Sequence, residues 1–169
     1  MGFFNEFRKY RGRRVITCPE TNDGAAVSVD ALHAAASGQV RLSDCSRWPE
    51  RAGCAQACLS QIADAPEGCL VSSIVASWYA GKLCIACGRP IGPIAWHEAP
   101  PAVLKDDATT CEWKDIRAEN LPAIFRTSKP LCWYCNNVAE LQRLNPNLIV
   151  RRQRRAAPPA PPLRSDAVY

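Results

Sequence analysis

Two Cys-x-x-Cys pairs, Cys84 with Cys87 and Cys132 with Cys135, are the residues of this chain whose type and spacing best suit chemistry. Within each pair the two-residue gap lets both sulfurs turn onto one ion, and four thiolates suit a tetrahedral zinc ion. Gly88, Pro90 and Gly92 follow the first pair. Such residues build a tight knuckle, because glycine accepts the positive φ that a turn around a metal requires. After the second pair, Val138, Leu141 and Leu144 recur at helical spacing and Asn145-Pro146 stops the run. Cys132 and Cys135 therefore fall at a helix N-terminus, where free N–H groups and the helix dipole favour thiolate. Two disulfides or four buried, idle thiols are the other uses of such residues; the paired spacing favours zinc.

A second set is less regular. Cys54 and Cys58 are four apart, so on a helix begun at Pro49 they share a face, and Cys18 and Cys45 are the natural partners. Four thiolates there would accept zinc or an iron–sulfur cluster. The spacing does not match the compact ferredoxin runs, which favours zinc. The competing reading makes Cys54 and Cys58 small core residues. Cys69 and Cys111 are left over and read as structural. His33, in an alanine-rich segment, reads as a surface residue. His97 reads as a surface residue or as one that orients a ligand.

The elements that must hold these residues are short. Val15–Cys18 and Ala25–Val29 flank an Asn-Asp-Gly turn and predict a hairpin. Ser28–Ser37 predicts a helix ended by Gly38, Val40–Leu42 a strand leading to Cys45, and Cys69–Ala80 an apolar helix capped by Gly81. Between the Cys-x-x-Cys pairs, Ile94–Trp96, Ala102–Leu104 and Thr110–Trp113 predict short strands, with a polar turn at Lys105–Asp107 and an extra helix over Ala118–Phe125. The expected fold class is α+β: a small metal-stabilised domain with short β-hairpins and several short helices. Trp78, Trp96, Trp113 and Trp133, with Tyr79 and Tyr134, gather in sequence around the pairs. They are expected to cover the site. A base-stacking surface would need exposed aromatics with interleaved cations, and the acidic body disfavours it.

Knuckle, hairpin, then a helix carrying the second pair resembles a treble-clef or zinc-ribbon type of zinc-binding domain, over residues 82–144. The resemblance implies Cys84, Cys87, Cys132 and Cys135 as ligands and a treble-clef-like C-terminal half. It implies no particular activity, because that architecture serves many. The stretches Cys18-Pro-Glu-Thr and Cys45 to Cys54 resemble segments of small bacterial cysteine-rich proteins, some of which carry an N-terminal membrane anchor.

The chain has 169 residues, 47% of them apolar, ten cysteines and a net charge of +5. The charge sits at the ends. Arg8, Lys9, Arg11, Arg13 and Arg14 stand against Glu6; Arg151, Arg152, Arg154, Arg155 and Arg164 stand against Asp166. The body between is mildly acidic. The division expected is a basic aromatic arm over 1–14, a hairpin with helices and a possible second four-cysteine site over 15–81, the zinc domain over 82–150, and an Arg/Pro-rich tail over 151–169. Phe3, Phe4, Phe7 and Tyr10 recur at helical spacing, so the arm could lie on a membrane surface, in a partner's groove or on the chain's own body. The first residues carry no apolar signal core, which predicts a reducing, cytoplasmic setting, with peripheral membrane attachment as a variant. The longest uncharged run, Gly68 to Gly81, is shorter than the ~20 apolar residues of a membrane helix.

No paired carboxylates, activated nucleophile or phosphate loop stands out, and four thiolates would close a zinc site to substrate. The sequence therefore predicts a non-catalytic zinc-binding accessory or adaptor subunit. It would dock on a protein partner or larger complex through its basic termini, with phospholipid headgroups or nucleic acid as other anionic surfaces. One alternative is an iron–sulfur electron-transfer subunit, with the cluster at the second cysteine set. Another is a nucleic-acid-binding zinc protein, whose affinity would fall steeply with salt.

Overall fold

The computed structural model of the chain describes residues 2–51 and 53–147. Helix α1 (Phe3–Tyr10) leads into strand β1 (Arg13–Thr17), and β2 (Gly24–Val29) returns antiparallel to it with Val15 opposite Ala26. The turn between them holds Asn22 at φ 57°, a left-handed conformation that asparagine tolerates. Helix α2 (Ala31–Ser37) follows, then β3 (Leu42–Cys45), which completes a three-stranded sheet in the order β1-β2-β3. The helix predicted from Ser28 starts instead at Ala31. Ser28 and Val29 pair with β3 in the ladder, and the Asp30 carboxylate caps the helix by accepting from the His33 N–H at 3.0 Å. Gly38 closes α2 in the left-handed region, as expected.

Helices α3 (Leu59–Asp64) and α4 (Val71–Tyr79) come next. Strands β4 (Ala102–Leu104), β5 (Thr110–Glu112) and β6 (Lys129–Leu131) form a second antiparallel sheet in the order β5-β4-β6. A 3-10 turn over Ala118–Asn120 and helix α5 (Leu121–Thr127) separate β5 from β6, and α6 (Trp133–Leu144) follows β6. Ile94–Trp96 is not a strand: the Glu98 and Ala99 N–H groups fold back onto the Ala95 carbonyl and make a turn. The chain is thus α+β, with short antiparallel sheets and short helices.

Two apolar cores meet along β1. Ile16 faces the first, with Tyr10, Val27, Leu42 and Ile62; Val15, one residue earlier and on the opposite face, packs against the second. That second core holds Val75, Tyr79 and Leu121 under Trp78, Trp113 and Phe125. Tyr79 is 1% exposed, and its hydroxyl donates to the Ala102 carbonyl while accepting from Trp113 Nε1 at 3.2 Å. The phenol thus ties α4 to β4 and to the aromatic cluster.

The N-terminal segment is part of the body. Helix α1 lies against α2; Tyr10 is buried and Phe7 packs on the first core, while Phe3 and Phe4 are exposed. Arg14 corrects the sequence reading, which counted it among the docking cations. It is fully buried, and its guanidinium donates to the carbonyls of Lys9, Tyr10 (2.7 Å) and Gly12 (2.9 Å). A helix leaves its last carbonyls without partners, and Arg14 supplies donors to those at the end of α1.

Candidate metal centre

Cys84 and Cys87 sit in a knuckle. The Cys84 N–H donates to the Arg89 carbonyl and the Gly88 N–H to the Cys84 carbonyl, both at 2.8 Å, and Leu83 bridges Pro90. Gly88 takes φ 70°, so the reversal that aims both sulfurs inward needs a residue free of the Cβ penalty there. The Ile85 N–H donates to the Pro130 carbonyl at 2.9 Å and locks the knuckle against β6. Strand β6 delivers Cys132 as the N-cap of α6, and Cys135 lies in that helix's first turn.

The four Sγ atoms of Cys84, Cys87, Cys132 and Cys135 lie within 4.8 Å of one another. Cys87 Sγ and Cys132 Sγ are 3.9 Å apart. Sulfurs bound to one tetrahedral zinc at about 2.3 Å stand roughly 3.8 Å from each other, so this spacing fits four thiolates around a single ion. Sulfurs on separate irons of a cluster stand farther apart. The donor set is sulfur only, and every cysteine of the chain is a free thiol.

Burial alone favours the neutral thiol at Cys84. The N–H groups of Cys132, Cys87 and Ala86, with the Cys132 thiol, outweigh it and hold Cys84 down to about 6. The Cys132 N–H to Cys84 Sγ distance is 3.3 Å. Burial pushes Cys135 far above the ordinary thiol range, and the neighbouring thiols of Cys132, Cys87 and Cys84 add to that; Cys132 is raised as well, first by burial. Hydrogen bonding thus holds Cys84 toward thiolate, while burial holds Cys132 and Cys135 toward thiol.

The second set is placed differently. Cys54 and Cys58 do not share a helix face: residues 53–58 are irregular, and Cys58 is the N-cap of α3. Gly53 at φ 86° and Gln56 at φ 54° break the run that the sequence pattern suggested. The four residues nevertheless converge. Cys18 after β1, Cys45 at the end of β3, Cys54 and Cys58 all line one cavity. Burial raises the Cys58 thiol, and the thiols of Cys45, Cys54 and Cys18 push it the same way. Among the described residues, only the first set has its sulfurs drawn to single-ion distances.

The remaining candidates fall outside both sets. Cys69 donates to the Pro66 carbonyl and Cys111 to the Glu112 carbonyl, each at 3.6 Å. His97 is exposed in a turn and His33 is half-buried on α2. Trp78 stacks on Phe125 and lies under Lys82 Nζ at 3.7 Å, so this aromatic group is core rather than a stacking platform. Arg8, Lys9, Arg11 and Arg13 are exposed; Arg151, Arg152, Arg154 and Arg155 lie outside the described residues. An apolar rim around the knuckle escaped the sequence reading. Leu83 and Ile85 flank buried Cys84 and are 58% and 52% exposed, and Trp133, Tyr134 and Leu141 on α6 are exposed too. The alternation Leu-Cys-Ile was its signal.

No helix among the described residues is long and apolar enough to cross a membrane. Comparison with family models, curated proteins and solved structures finds no match to this chain.

Proposed function

We propose that this chain is a non-catalytic, zinc-stabilised adaptor of treble-clef type, whose Cys84, Cys87, Cys132 and Cys135 hold a structural zinc ion. The observation that carries the reading is the convergence of four sulfurs, from a knuckle and a helix N-terminus, to within 4.8 Å. Four protein thiolates fill a zinc tetrahedron and leave no position for substrate or water, so the metal serves folding rather than catalysis. Its sulfurs would be held by the turn at Gly88 and by the first turn of α6.

The adaptor role draws on two surfaces. Arg8, Lys9, Arg11 and Arg13 are exposed around α1 and the start of β1, a basic face for an acidic partner. The apolar rim of Leu83, Ile85, Trp133 and Tyr134 is a second contact face beside the metal. Arg151, Arg152, Arg154 and Arg155 add a further basic segment to the same reading. The thiolate chemistry suits a reducing, cytoplasmic setting.

Elemental analysis with a visible spectrum, on protein purified without oxygen, tests the reading. Zinc without colour is expected. Iron with sulfide and a brown chromophore would replace the adaptor with an electron carrier.

A further inference from the structure

We infer that Cys18, Cys45, Cys54 and Cys58 form a second tetrathiolate zinc site, which ties the first sheet to α3. The site is independent of the Cys84 set and goes beyond the adaptor reading.

Four cysteines from separate segments line one cavity of about 30 Å3. That is room for a single small occupant. Cys45 and Cys58 are buried in the first core, Cys18 packs against it, and Cys54 is half-buried.

Polar braces hold the segments in place. The Gln61 side-chain amide takes both backbone groups of Thr17: its Nε2 donates to the Thr17 carbonyl at 2.7 Å and its Oε1 accepts from the Thr17 N–H at 3.1 Å. This fixes Cys18, one residue on, against α3 and Cys58. Gln56 Oε1 accepts from the Leu42 N–H at 2.9 Å and fixes the 53–57 loop to the strand that ends in Cys45. Gln56 does so from φ 54°, a left-handed conformation that costs a glutamine energy and that the surrounding contacts must offset.

Backbone donors also point at the sulfurs. The Arg47 N–H donates to Cys45 Sγ at 3.5 Å. The Cys84 set has the same feature, with the Cys132 N–H donating to Cys84 Sγ at 3.3 Å. N–H groups aimed at sulfur stabilise thiolate, the form that binds metal. Of the two arginines lining the cavity, Arg47 and Arg51, Arg47 pairs with Asp23 at 2.7 Å and Glu50 at 3.2 Å. Four sulfurs with no nitrogen donor among them select zinc over the harder divalent ions.

Two readouts on the full chain, expressed with zinc and purified without oxygen, test the inference. In metal analysis the wild type should hold about two zinc equivalents. A Cys45→Ser/Cys58→Ser variant should fall to one, as should Cys132→Ser/Cys135→Ser, while Cys69→Ser/Cys111→Ser should keep both. Because the first variant could fail to fold, the second readout uses wild-type protein: the rate at which each thiol is alkylated, read by mass spectrometry. Cys18 and Cys54 are half-buried like Cys69 and Cys111. With zinc bound they should react at least about tenfold more slowly than that pair. One zinc with Cys18 and Cys54 as reactive as Cys111 would overturn the inference, as would a disulfide within the set. Protection of this set with loss of zinc from Cys84, Cys87, Cys132 and Cys135 would sustain the inference and defeat the adaptor's treble-clef centre instead.

Discussion

Cys135 and Cys111 are both half-buried thiols in the C-terminal half, yet they have opposite roles. Cys135 stands in the first turn of α6 within single-ion distance of three other sulfurs, while Cys111 donates to a neighbouring carbonyl on β5. Cys135→Ser should release one metal equivalent and lower the stability of the fold, because metal binding and folding are coupled. Cys111→Ser should leave the metal content unchanged; the pair is read by metal analysis and circular dichroism. Arg14 makes a different case. Its guanidinium serves three carbonyls around the end of α1 from a fully buried position. Arg14→Met should cost on the order of 3 kcal/mol, since three carbonyls lose charged donors and that of Tyr10 is buried away from water. Arg14→Lys should recover little of it, because one ammonium lacks the planar fork that reaches several acceptors. Urea unfolding measures both.

At the scale of elements, Tyr79 joins α4 to the second sheet through the Ala102 carbonyl and to the aromatic cluster through Trp113. Burial pushes its phenol well above its ordinary value of about 10. The folded chain keeps that proton at a pH where the unfolded chain has released it. Stability from this group is therefore complete below pH ~10 and is lost as the pH rises above it. Tyr79→Phe should lower stability by about 1 kcal/mol at neutral pH and flatten the alkaline loss relative to wild type. Thermal melts across that range would show it, and parallel pH profiles for the two proteins would refute it.

The elements also show what the sequence could carry. The Cys-x-x-Cys pairs, the hairpin at Asn22, the Gly38 cap and the helix after Cys135 are local signals, each written within a few residues. The failures lie where a distant partner decides. In the stretch from Pro49 to Cys58 the four-residue spacing of Cys54 and Cys58 suggests a helix, but Gly53 and Gln56 take positive φ, and the Gln56 side chain accepts from the Leu42 N–H on β3. Ser28 and Val29 have helix neighbours but are claimed by the ladder to β3. Arg14 sits in a cationic run whose other members are exposed; only the carbonyls at the end of α1 draw it inward. Cys18 and Cys45 could be grouped with Cys54 and Cys58 by elimination, whereas the braces from Gln56 and Gln61 carry no sequence signature.

The whole molecule is two cores sharing one strand, each beside a set of four cysteines. Because Val15 and Ile16 face different cores, neither half can unfold without disturbing β1. Stripping the metal with a chelator should therefore shift one cooperative thermal transition downward rather than split it in two. The shift should be large, since structural zinc contributes roughly 10 kcal/mol of binding free energy at neutral pH. A chelated protein that melts as the untreated one does would contradict the coupling. The basic face around α1 and the apolar rim around the knuckle are carried by different halves, so an adaptor of this kind could present two contacts held in fixed relation by β1.

Zinc-edge X-ray absorption on the purified full chain tests the central claim most directly, because it reports the ligand atoms themselves. A metal-thiolate scaffold predicts about four sulfur neighbours at about 2.3 Å and no oxygen or nitrogen in the first coordination sphere. Nitrogen or oxygen ligands at about 2.0 Å, or the absence of bound zinc, would contradict it.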